Sequence, residues 1–168
     1  MLKIAITGPE SSGKTTLCES LSTHFKVDYI PEFARSFLEQ RNGKYKQADL
    51  DEIAKGQLNS IVTSSHSIQI CDSDFSVVEI WSSYKYGNVS NLITDYVKKE
   101  VFDLHILCSP DIPWEEDPLR ENPDNRDELF EMYLASLKNH NKHFIVVSGS
   151  HDTRMKKSLK NIDGLKKK

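Results

Sequence analysis

Residues 8–15 have the residue types and the spacing of a loop that binds phosphate groups. The run Gly8-Pro9-Glu10-Ser11-Ser12-Gly13-Lys14-Thr15 fits the pattern G-x-x-x-x-G-K-[ST]. Gly8 and Gly13 permit backbone angles that let successive N–H groups face a polyphosphate. Lys14 offers an ammonium group to the β- and γ-phosphates, and the Thr15 hydroxyl is a hard oxygen ligand for Mg²⁺. We predict that this phosphate loop binds a nucleotide with Mg²⁺ through Gly8, Glu10, Ser11, Ser12, Gly13, Lys14, Thr15 and Thr16.

The residues on either side of the loop support this interpretation. Residues 2–7 form a short apolar run that predicts a strand, and apolar residues at helical spacing follow Thr15. Strand, glycine loop and helix is the context that the motif requires, since it places the phosphates at a helix N-terminus. The alternative, an accidental Gly-Lys-Thr turn, does not account for these flanks.

Two carboxylates follow a third apolar run, residues 67–72. Asp72 ends this predicted strand and Asp74 comes two residues later. An acid at this edge can hold Mg²⁺ together with Thr15 or orient an attacking hydroxyl, so we predict that Asp72 is catalytic and a metal ligand. Asp74 is a second catalytic candidate, and the alternative is that it caps the next helix, as Ser73 also could.

Glu32 and Arg35 follow the predicted strand at residues 27–30, whose end lies at the same edge of such a sheet. A carboxylate there can bind sugar hydroxyls, and an arginine can reach a phosphate. We predict that both contact substrate. The alternative is an acid at a helix start and a surface arginine.

Trp81 and Tyr84 share one face of a predicted helix. They can stack on a flat heterocycle and are therefore candidate substrate contacts, although an aromatic stripe at this spacing is more often part of a core.

A proline-rich, charged segment at residues 109–126, the lid segment, contains Arg120 and Arg126. A mobile loop that brings arginines over a transferring phosphoryl group is the lid of small kinases, and we predict that both arginines are catalytic. The alternative is a charged surface loop in which the arginines pair with neighbouring acids, namely Glu115, Glu116, Asp117 and Glu121.

The apolar runs predict five strands that alternate with helices, at residues 2–7, 27–30, 67–72, 104–108 and 143–148. This alternation predicts an α/β P-loop fold, a five-stranded parallel sheet with helices on both faces. Ligands then bind at the carboxyl edge of the strands. With 168 residues we expect a single domain over residues 1–168. A lysine-rich terminal helix should fray into solvent.

Composition excludes several classes of protein. A formal charge of −3 argues against nucleic acid as the main partner. The three cysteines have no metal-ligand spacing and are expected to be buried and reduced, and the histidines (24, 66, 105, 140, 143 and 151) show no metal or relay pattern. No run has membrane-spanning length and no signal peptide is expected, so we predict a cytoplasmic protein with a small-molecule substrate. Homo-oligomerisation stays open.

At this point the sequence resembles a known family, the nicotinamide riboside kinases that form the kinase domain of NadR-type proteins. The phosphate loop is similar to the family's G-x-E-S-S-G-K-[ST], and residues 31–35 are similar to its P-E-Y-A-R. Further matches are Gly56-Gln57, Cys71-Asp72-Ser73-Asp74, Trp81, Pro110-Asp111-Ile112-Pro113-Trp114 with Arg120 and Arg126, and residues 146–150. NadR-type proteins often carry an adenylyltransferase domain before the kinase, which we do not expect in a chain whose first strand begins at residue 2.

The resemblance implies transfer of the ATP γ-phosphoryl group to the ribose 5′-hydroxyl of nicotinamide riboside, a phosphotransferase reaction with an alcohol acceptor. It implies that Lys14 and Thr15 hold ATP and Mg²⁺, and that Asp72, Asp74 and Glu32 position metal and ribose. Trp81 or Tyr84 would then lie against the nicotinamide, and Arg120 and Arg126 would close on the phosphates. Ser73 and Phe33 replace the family's usual Thr and Tyr.

Two other functions keep the phosphate loop. One is a kinase for another nucleoside or a vitamin alcohol. The other is an ATP- or GTP-binding regulatory module that turns over slowly, which Asp72 and the two lid arginines argue against. A GTPase is also disfavoured, because the sequence has no guanine-reading Asn-Lys-x-Asp run.

Overall fold

A computed structural model describes residues 1–63, 67–100 and 102–166 and contains a parallel β-sheet. Four strands have the order β2-β1-β3-β4, and every neighbouring pair is parallel. Their bounds are β1 Leu2–Thr7, β2 Ile68–Asp72, β3 Leu104–Cys108 and β4 Phe144–Val147. All residues of β2 and β3 are buried, which explains why these short strands are mostly apolar and do not alternate with exposed polar residues.

The prediction of a fifth strand at residues 27–30 is wrong. Among the described residues, this segment makes only an isolated bridge between Ile30 and Cys71. Ile30 N–H donates to the Ile70 carbonyl and Asp72 N–H donates to the Ile30 carbonyl, both at 2.8 Å. The ladder ends after this bridge, since Pro31 follows and a helix begins at Phe33; Lys26, before the segment, is in the left-handed conformation. The segment still delivers Glu32 beside the end of β2.

Seven helices connect and flank these strands within the described residues, and they cover both faces of the sheet as predicted. Their bounds are α1 Lys14–Phe25, α2 Phe33–Gln40, α3 Gln47–Thr63, α4 Phe75–Tyr86, α5 Asn91–Lys99, α6 Arg126–Asn139 and α7 His151–Lys166. The lid segment has no helix or strand before Arg126, where α6 begins. Of the lysine-rich end, residues 167–168 lie outside the described residues.

The core lies on both sides of the sheet. One cluster packs alternate strand residues such as Ile4 and Ile106 against α1 and α7. A second joins Leu107 of β3 to α4 and α6, and a third packs α2, α3, α4 and α5 together. The predicted burial of Cys18, Cys71 and Cys108 as free thiols is confirmed.

One close approach in the third cluster depends on a glycine. A Cβ on Gly56 of α3 would lie 2.2 Å from the Phe33 ring of α2. The neighbouring Gln57 accepts the Phe33 N–H at 2.8 Å through its side-chain oxygen. Gly56 and Gln57 therefore fix the start of α2, just after Glu32.

Within the described residues, no helix combines the length and the hydrophobicity that crossing a membrane requires.

Candidate active site

The phosphate loop joins β1 to α1 in the conformation that its glycines predict. Gly8 has φ of 136° and Gly13 has φ of 81°, both in the region that favours glycine. A Cβ on Gly8 would lie 2.7 Å from the carbonyl oxygen of Cys108, so the loop also packs against the end of β3. Gly13 is the N-cap of α1, which aims the free N–H groups of the helix start into the loop.

Lys14 folds back over this loop. Its ammonium group donates to the Gly8 and Pro9 carbonyls, each at 2.9 Å. The Lys14 ammonium group thus has main-chain oxygens as its partners at the mouth of the loop. Phosphate oxygens of a nucleotide bound there would be preferred partners.

The acid predicted at the end of β2 lies against the phosphate loop. The Thr15 hydroxyl donates to Asp72 Oδ2 at 2.6 Å. Asp72 Oδ1 is buried and has no hydrogen-bond partner among the described residues. Burial, and then the charge of Glu32, raise the pKa of Asp72 to about 6, against the opposite effects of Lys14 and the Thr15 hydrogen bond. A hydroxyl and a carboxylate with a spare oxygen are hard ligands that fit Mg²⁺.

Asp74 is not brought to the same place. Its Oδ1 accepts the Ser76 N–H at 3.1 Å and the Thr7 hydroxyl at 2.9 Å, so the carboxylate caps α4 and holds it to the end of β1. Asp74 is 2% exposed and does not line the cavity. The geometry thus favours the capping alternative over the direct catalytic role predicted for Asp74.

A cavity of about 460 Å³ opens beside the phosphate loop. It is bounded by the loop, the start of α2, one face of α4, the lid segment and two residues of α6. The predicted site residues that line it are Gly8, Glu10, Ser11, Ser12, Gly13, Lys14, Thr15, Thr16, Glu32, Arg35, Trp81, Tyr84 and Arg120. Asp72 and Arg126 are outside this lining, although Asp72 lies directly behind Thr15.

The sequence left open whether Trp81 contacts substrate or belongs to the core, and its position allows both. It is half-buried against the α2–α5 cluster and also lines the cavity. Its indole N–H donates to the Tyr45 hydroxyl at 2.8 Å, and the two rings meet edge to face with centroids 4.7 Å apart. Tyr84 is 36% exposed at the rim, where its hydroxyl donates to Glu128 at 3.2 Å. The cavity thus has an aromatic wall held by a hydrogen bond.

Two side chains of the phosphate loop hold the lid segment. Glu10 accepts the backbone N–H groups of Glu121 at 3.1 Å and Asn122 at 2.9 Å. The Ser11 hydroxyl accepts the Glu115 N–H at 2.9 Å. Glu10, predicted to contact the nucleotide, therefore binds the lid through its carboxylate, an anionic group unsuited to a phosphate.

The lid arginines do not pair with the lid's own acids, as the alternative required. Among the described residues, neither Arg120 nor Arg126 has a carboxylate ion pair. Arg120 donates to the Glu115 carbonyl, and Arg126 donates to the Ser11 and Ile112 carbonyls at 3.0 Å. Both guanidinium groups lie over the Trp114 ring, 5.8 and 5.7 Å from its centroid.

The lid acids pair instead with cations across the cavity. Asp117 binds Arg35 at 2.6 Å, which lowers the pKa of Asp117, and Glu121 binds Lys85 at 2.9 Å. Arg35 thereby connects α2 to the lid, in addition to lining the cavity.

Sequence reasoning missed three residues of the site. Arg154 of α7 is 3% exposed and donates to the Ser12 carbonyl at 2.7 Å. It also pairs with Asp111 of the lid segment. In the sequence it resembles the surface lysines around it, and only its isolation on the buried face of α7 distinguishes it. Tyr45 and Lys85 lay in polar surroundings that gave no signal.

The fold and site together define a P-loop nucleotide-binding α/β protein. Residues 3–154 match the family model described as AAA domain, and the chain belongs to that family.

Two curated relatives support the resemblance stated from the sequence. The chain is 27% identical over 161 residues to "Trifunctional NAD biosynthesis/regulator protein NadR" of Escherichia coli (strain K12), a match that covers 90% of this chain and 39% of the relative. It is 28% identical over 153 residues to the protein of the same name from Salmonella typhimurium (strain LT2), covering 86% and 37%. The chain thus spans about two fifths of the length of these relatives.

Solved structures agree on the fold. A crystal structure of NadR protein in complex with NR aligns with a TM-score of 0.78 at 19% identity, over 96% of this chain and 50% of that one. Deoxyadenosine kinase from M. mycoides aligns with a TM-score of 0.64 at 17% identity, over 97% of this chain and all of that one.

Proposed function

We propose that this protein is an ATP-dependent kinase that phosphorylates the ribose 5′-hydroxyl of nicotinamide riboside, giving nicotinamide mononucleotide. The observation that carries the proposal is the cavity beside the phosphate loop. Lys14 and Thr15 of the phosphate loop, Glu32 and Trp81 all line this one cavity. A phosphate site, a carboxylate that can bind sugar hydroxyl groups and an aromatic ring thus share one cavity, and these are the groups that a phosphorylated nucleoside requires. The expectation that the base is nicotinamide comes from the similarity to the NadR relatives, whose names include NAD biosynthesis.

In this proposal, the phosphate loop and Lys14 hold the β- and γ-phosphates, and Thr15 with Asp72 holds Mg²⁺. The metal ion, when bound, neutralises charge that develops on the phosphate oxygens. Above its pKa of about 6, Asp72 is an anion and can take this role. Its spare buried oxygen, Oδ1, is the atom that such a ligand would satisfy.

The remaining cavity residues position the two substrates. Glu32 accepts hydrogen bonds from ribose hydroxyl groups, and Trp81 and Tyr84 lie against the nicotinamide ring. Arg120, which lines the cavity and has no carboxylate partner among the described residues, binds the transferring phosphoryl group. Arg126 contacts the phosphate loop through the Ser11 carbonyl and so holds the lid against it.

A kinase for another nucleoside is the second candidate, favoured by the structural similarity to deoxyadenosine kinase. The regulatory-module alternative would need the same nucleotide site without turnover. We further propose a cytoplasmic location.

The test is an ATP-consumption assay with Mg²⁺ against nicotinamide riboside, purine and pyrimidine nucleosides and vitamin alcohols. We expect turnover with nicotinamide riboside, with the mononucleotide identified as product by mass spectrometry. Turnover confined to another nucleoside would replace the acceptor and keep the mechanism. ATP binding without turnover of any acceptor would favour the regulatory module.

A further inference from the structure

Four ionisable side chains form a buried cluster at the acidic turn, residues 72–74, and none of them lines the cavity. His105 of β3 has Nε2 3.2 Å from Glu100 Oε1 and 3.6 Å from Asp74 Oδ2. The ammonium group of Lys142 is 3.4 Å from the same Glu100 oxygen. The side chains of Asp74 and His105 are 0% exposed, that of Glu100 is 2% and that of Lys142 is 10%. The histidine spacing in the sequence gave no indication of this cluster.

Buried carboxylates are costly unless cations compensate them. Here Lys142 provides one cation, and His105 provides a second when its imidazole is protonated. Burial opposes the charged imidazole, but the hydrogen bond to Glu100 and the charge of Asp74 outweigh it and raise the pKa of His105. Ligand-type atoms of Asp74, Glu100 and His105 also lie within 4.8 Å of one another, as in a metal site. The nearby Lys142 ammonium makes an added cation unnecessary.

The cluster holds the turn between β2 and α4. Asp74 Oδ1 accepts the hydroxyl of Thr7, the residue before the phosphate loop, and the Ser76 N–H. Glu100 Oε2 accepts the Phe75 N–H at 3.2 Å. The start of α4 is therefore bound both to the end of β1 and, through Glu100 and His105, to β3.

The turn that these contacts hold is strained. Ser73 has φ of 81°, a left-handed conformation that is costly for a residue with a side chain. Ser73 is 2% exposed and its hydroxyl has no hydrogen-bond partner among the described residues, so nothing in its side chain offsets the cost. The residue before it, Asp72, contacts Thr15. If the turn relaxed, Asp72 would move away from Thr15.

We propose that His105 is a positioning residue: through its hydrogen bond to Glu100 and its position 3.6 Å from Asp74 Oδ2, it holds Ser73 in its strained turn and so keeps Asp72 against Thr15. This proposal rests on the function proposed above only where it predicts an effect on kcat, because kcat requires the phosphoryl acceptor. Its geometric consequence, a carboxylate poised beside the Thr15 hydroxyl, is measurable without any acceptor.

The first test compares His105→Gln with His140→Gln. His140 is a matched control, because its Nε2 also lies 3.2 Å from a glutamate, Glu79, at the contact of α4 and α6. The gain in ATP affinity that Mg²⁺ provides is measured by calorimetry with Mg²⁺ and with EDTA. We expect His105→Gln to reduce this gain about tenfold, since partners behind a metal ligand have effects of that size. The ATP affinity in EDTA should change little, and His140→Gln should keep the full gain.

The second test asks whether relief of the backbone strain at Ser73 compensates for the loss of the His105 contacts. Glycine adopts a positive φ without strain, so Ser73→Gly combined with His105→Gln should recover most of the Mg²⁺-dependent gain and of kcat. A purely structural role for His105 would not respond to a substitution at Ser73. If His105→Gln does not fold, Glu100→Gln provides the same comparison, because it keeps an acceptor for the Phe75 N–H and removes the charge.

Three results would overturn the proposal. One is an unchanged Mg²⁺-dependent gain in folded His105→Gln, another is a loss that Ser73→Gly does not reduce, and the third is a metal ion bound at the cluster by elemental analysis of the purified protein. A wild-type protein that shows the gain but phosphorylates no riboside would contradict the proposed acceptor and leave this inference standing.

Discussion

The two walls of the cavity are held in different ways. On the sheet side, Asp72 ends a buried strand directly behind Thr15, and Asp72 and Ser73 are 3% and 2% exposed. On the lid side, the two ion pairs that cross the cavity are accessible to water: the Arg35 side chain is 48% exposed, Lys85 is 39% and Glu121 is 43%. One wall is part of the core and the other is a surface segment attached to it.

This difference indicates that the two walls have different roles. Groups that must keep a fixed distance to a phosphate or metal are placed on strand ends, where hydrogen-bonded ladders define their positions. Arg154 anchors the start of the lid at Asp111, but residues 115–122 are held by exposed ion pairs, each worth about 0–1 kcal/mol, and by hydrogen bonds to the Glu10 and Ser11 side chains. A segment attached so weakly can open for substrate and product at low cost.

The largest effect is expected on the sheet side, for Lys14→Ala. Without the ammonium group, the phosphate loop loses its only side-chain cation, and we expect kcat/KM to fall at least about 100-fold. Circular dichroism and the melting temperature should stay near the wild type, because Lys14 is partly exposed. Lys160→Ala, an exposed lysine of α7, is the control. Full kinase activity in Lys14→Ala would contradict the whole scheme.

Asp72→Asn tests the cost of the buried carboxylate. The folded pKa of about 6 lies above the ordinary value of 3.8, so ionised Asp72 destabilises the fold, and the cost grows as pH rises from about 4 to about 6. In EDTA at pH 7.5, we expect Asp72→Asn to be more stable than the wild type by up to about 2 kcal/mol, a difference that disappears near pH 4.

Urea unfolding at both pH values measures this difference, with the exposed Asp124→Asn as control. Equal stability of wild type and Asp72→Asn at pH 7.5 would show that the carboxylate is not penalised. The variant should also lose the Mg²⁺-dependent gain in ATP affinity.

Trp81→Ala examines the aromatic wall of the cavity, which lies on α4. If Trp81 stacks on the base, the affinity for nicotinamide riboside should fall about tenfold while the affinity for ATP stays within twofold. Trp81→Phe keeps a ring without the hydrogen bond to Tyr45 and should lose less. Equal losses for riboside and ATP, measured by calorimetry, would identify a tryptophan that only supports the core.

The smallest effects are expected at the lid, where Glu10→Gln and Asp117→Asn can be compared. Glu10 accepts two backbone N–H groups, whereas Asp117 forms one exposed pair with Arg35. We expect kcat/KM to fall about fivefold for Glu10→Gln and about twofold for Asp117→Asn. Limited proteolysis within residues 109–126 should rise in the same order. The reverse order would show that ion pairs rather than Glu10 hold the lid.

The resemblance to NadR-type kinases stated from the sequence is confirmed by the curated relatives, and the α/β P-loop fold is confirmed by the solved structures. The phosphate loop could be predicted because its chemistry dictates consecutive residues. The sequence could not show that residues 27–30 form no strand, since their apolar pattern is strand-like. Only the structure shows that the hydrogen-bonded ladder is limited to one bridge, at Ile30.

By itself, the sequence determined the features that depend on local chemistry: the glycine loop with Lys14 and Thr15, the buried strands and the acid at the end of β2. Tertiary structure alone decided which of two nearby aspartates faces the loop, because Asp74 is held by Thr7, 67 residues away in the chain. It likewise decided that Glu10 binds the lid and that Arg154, 142 residues from Ser12, supports the loop. Contacts over such separations depend on how the strands are ordered, and no spacing in the sequence encodes them.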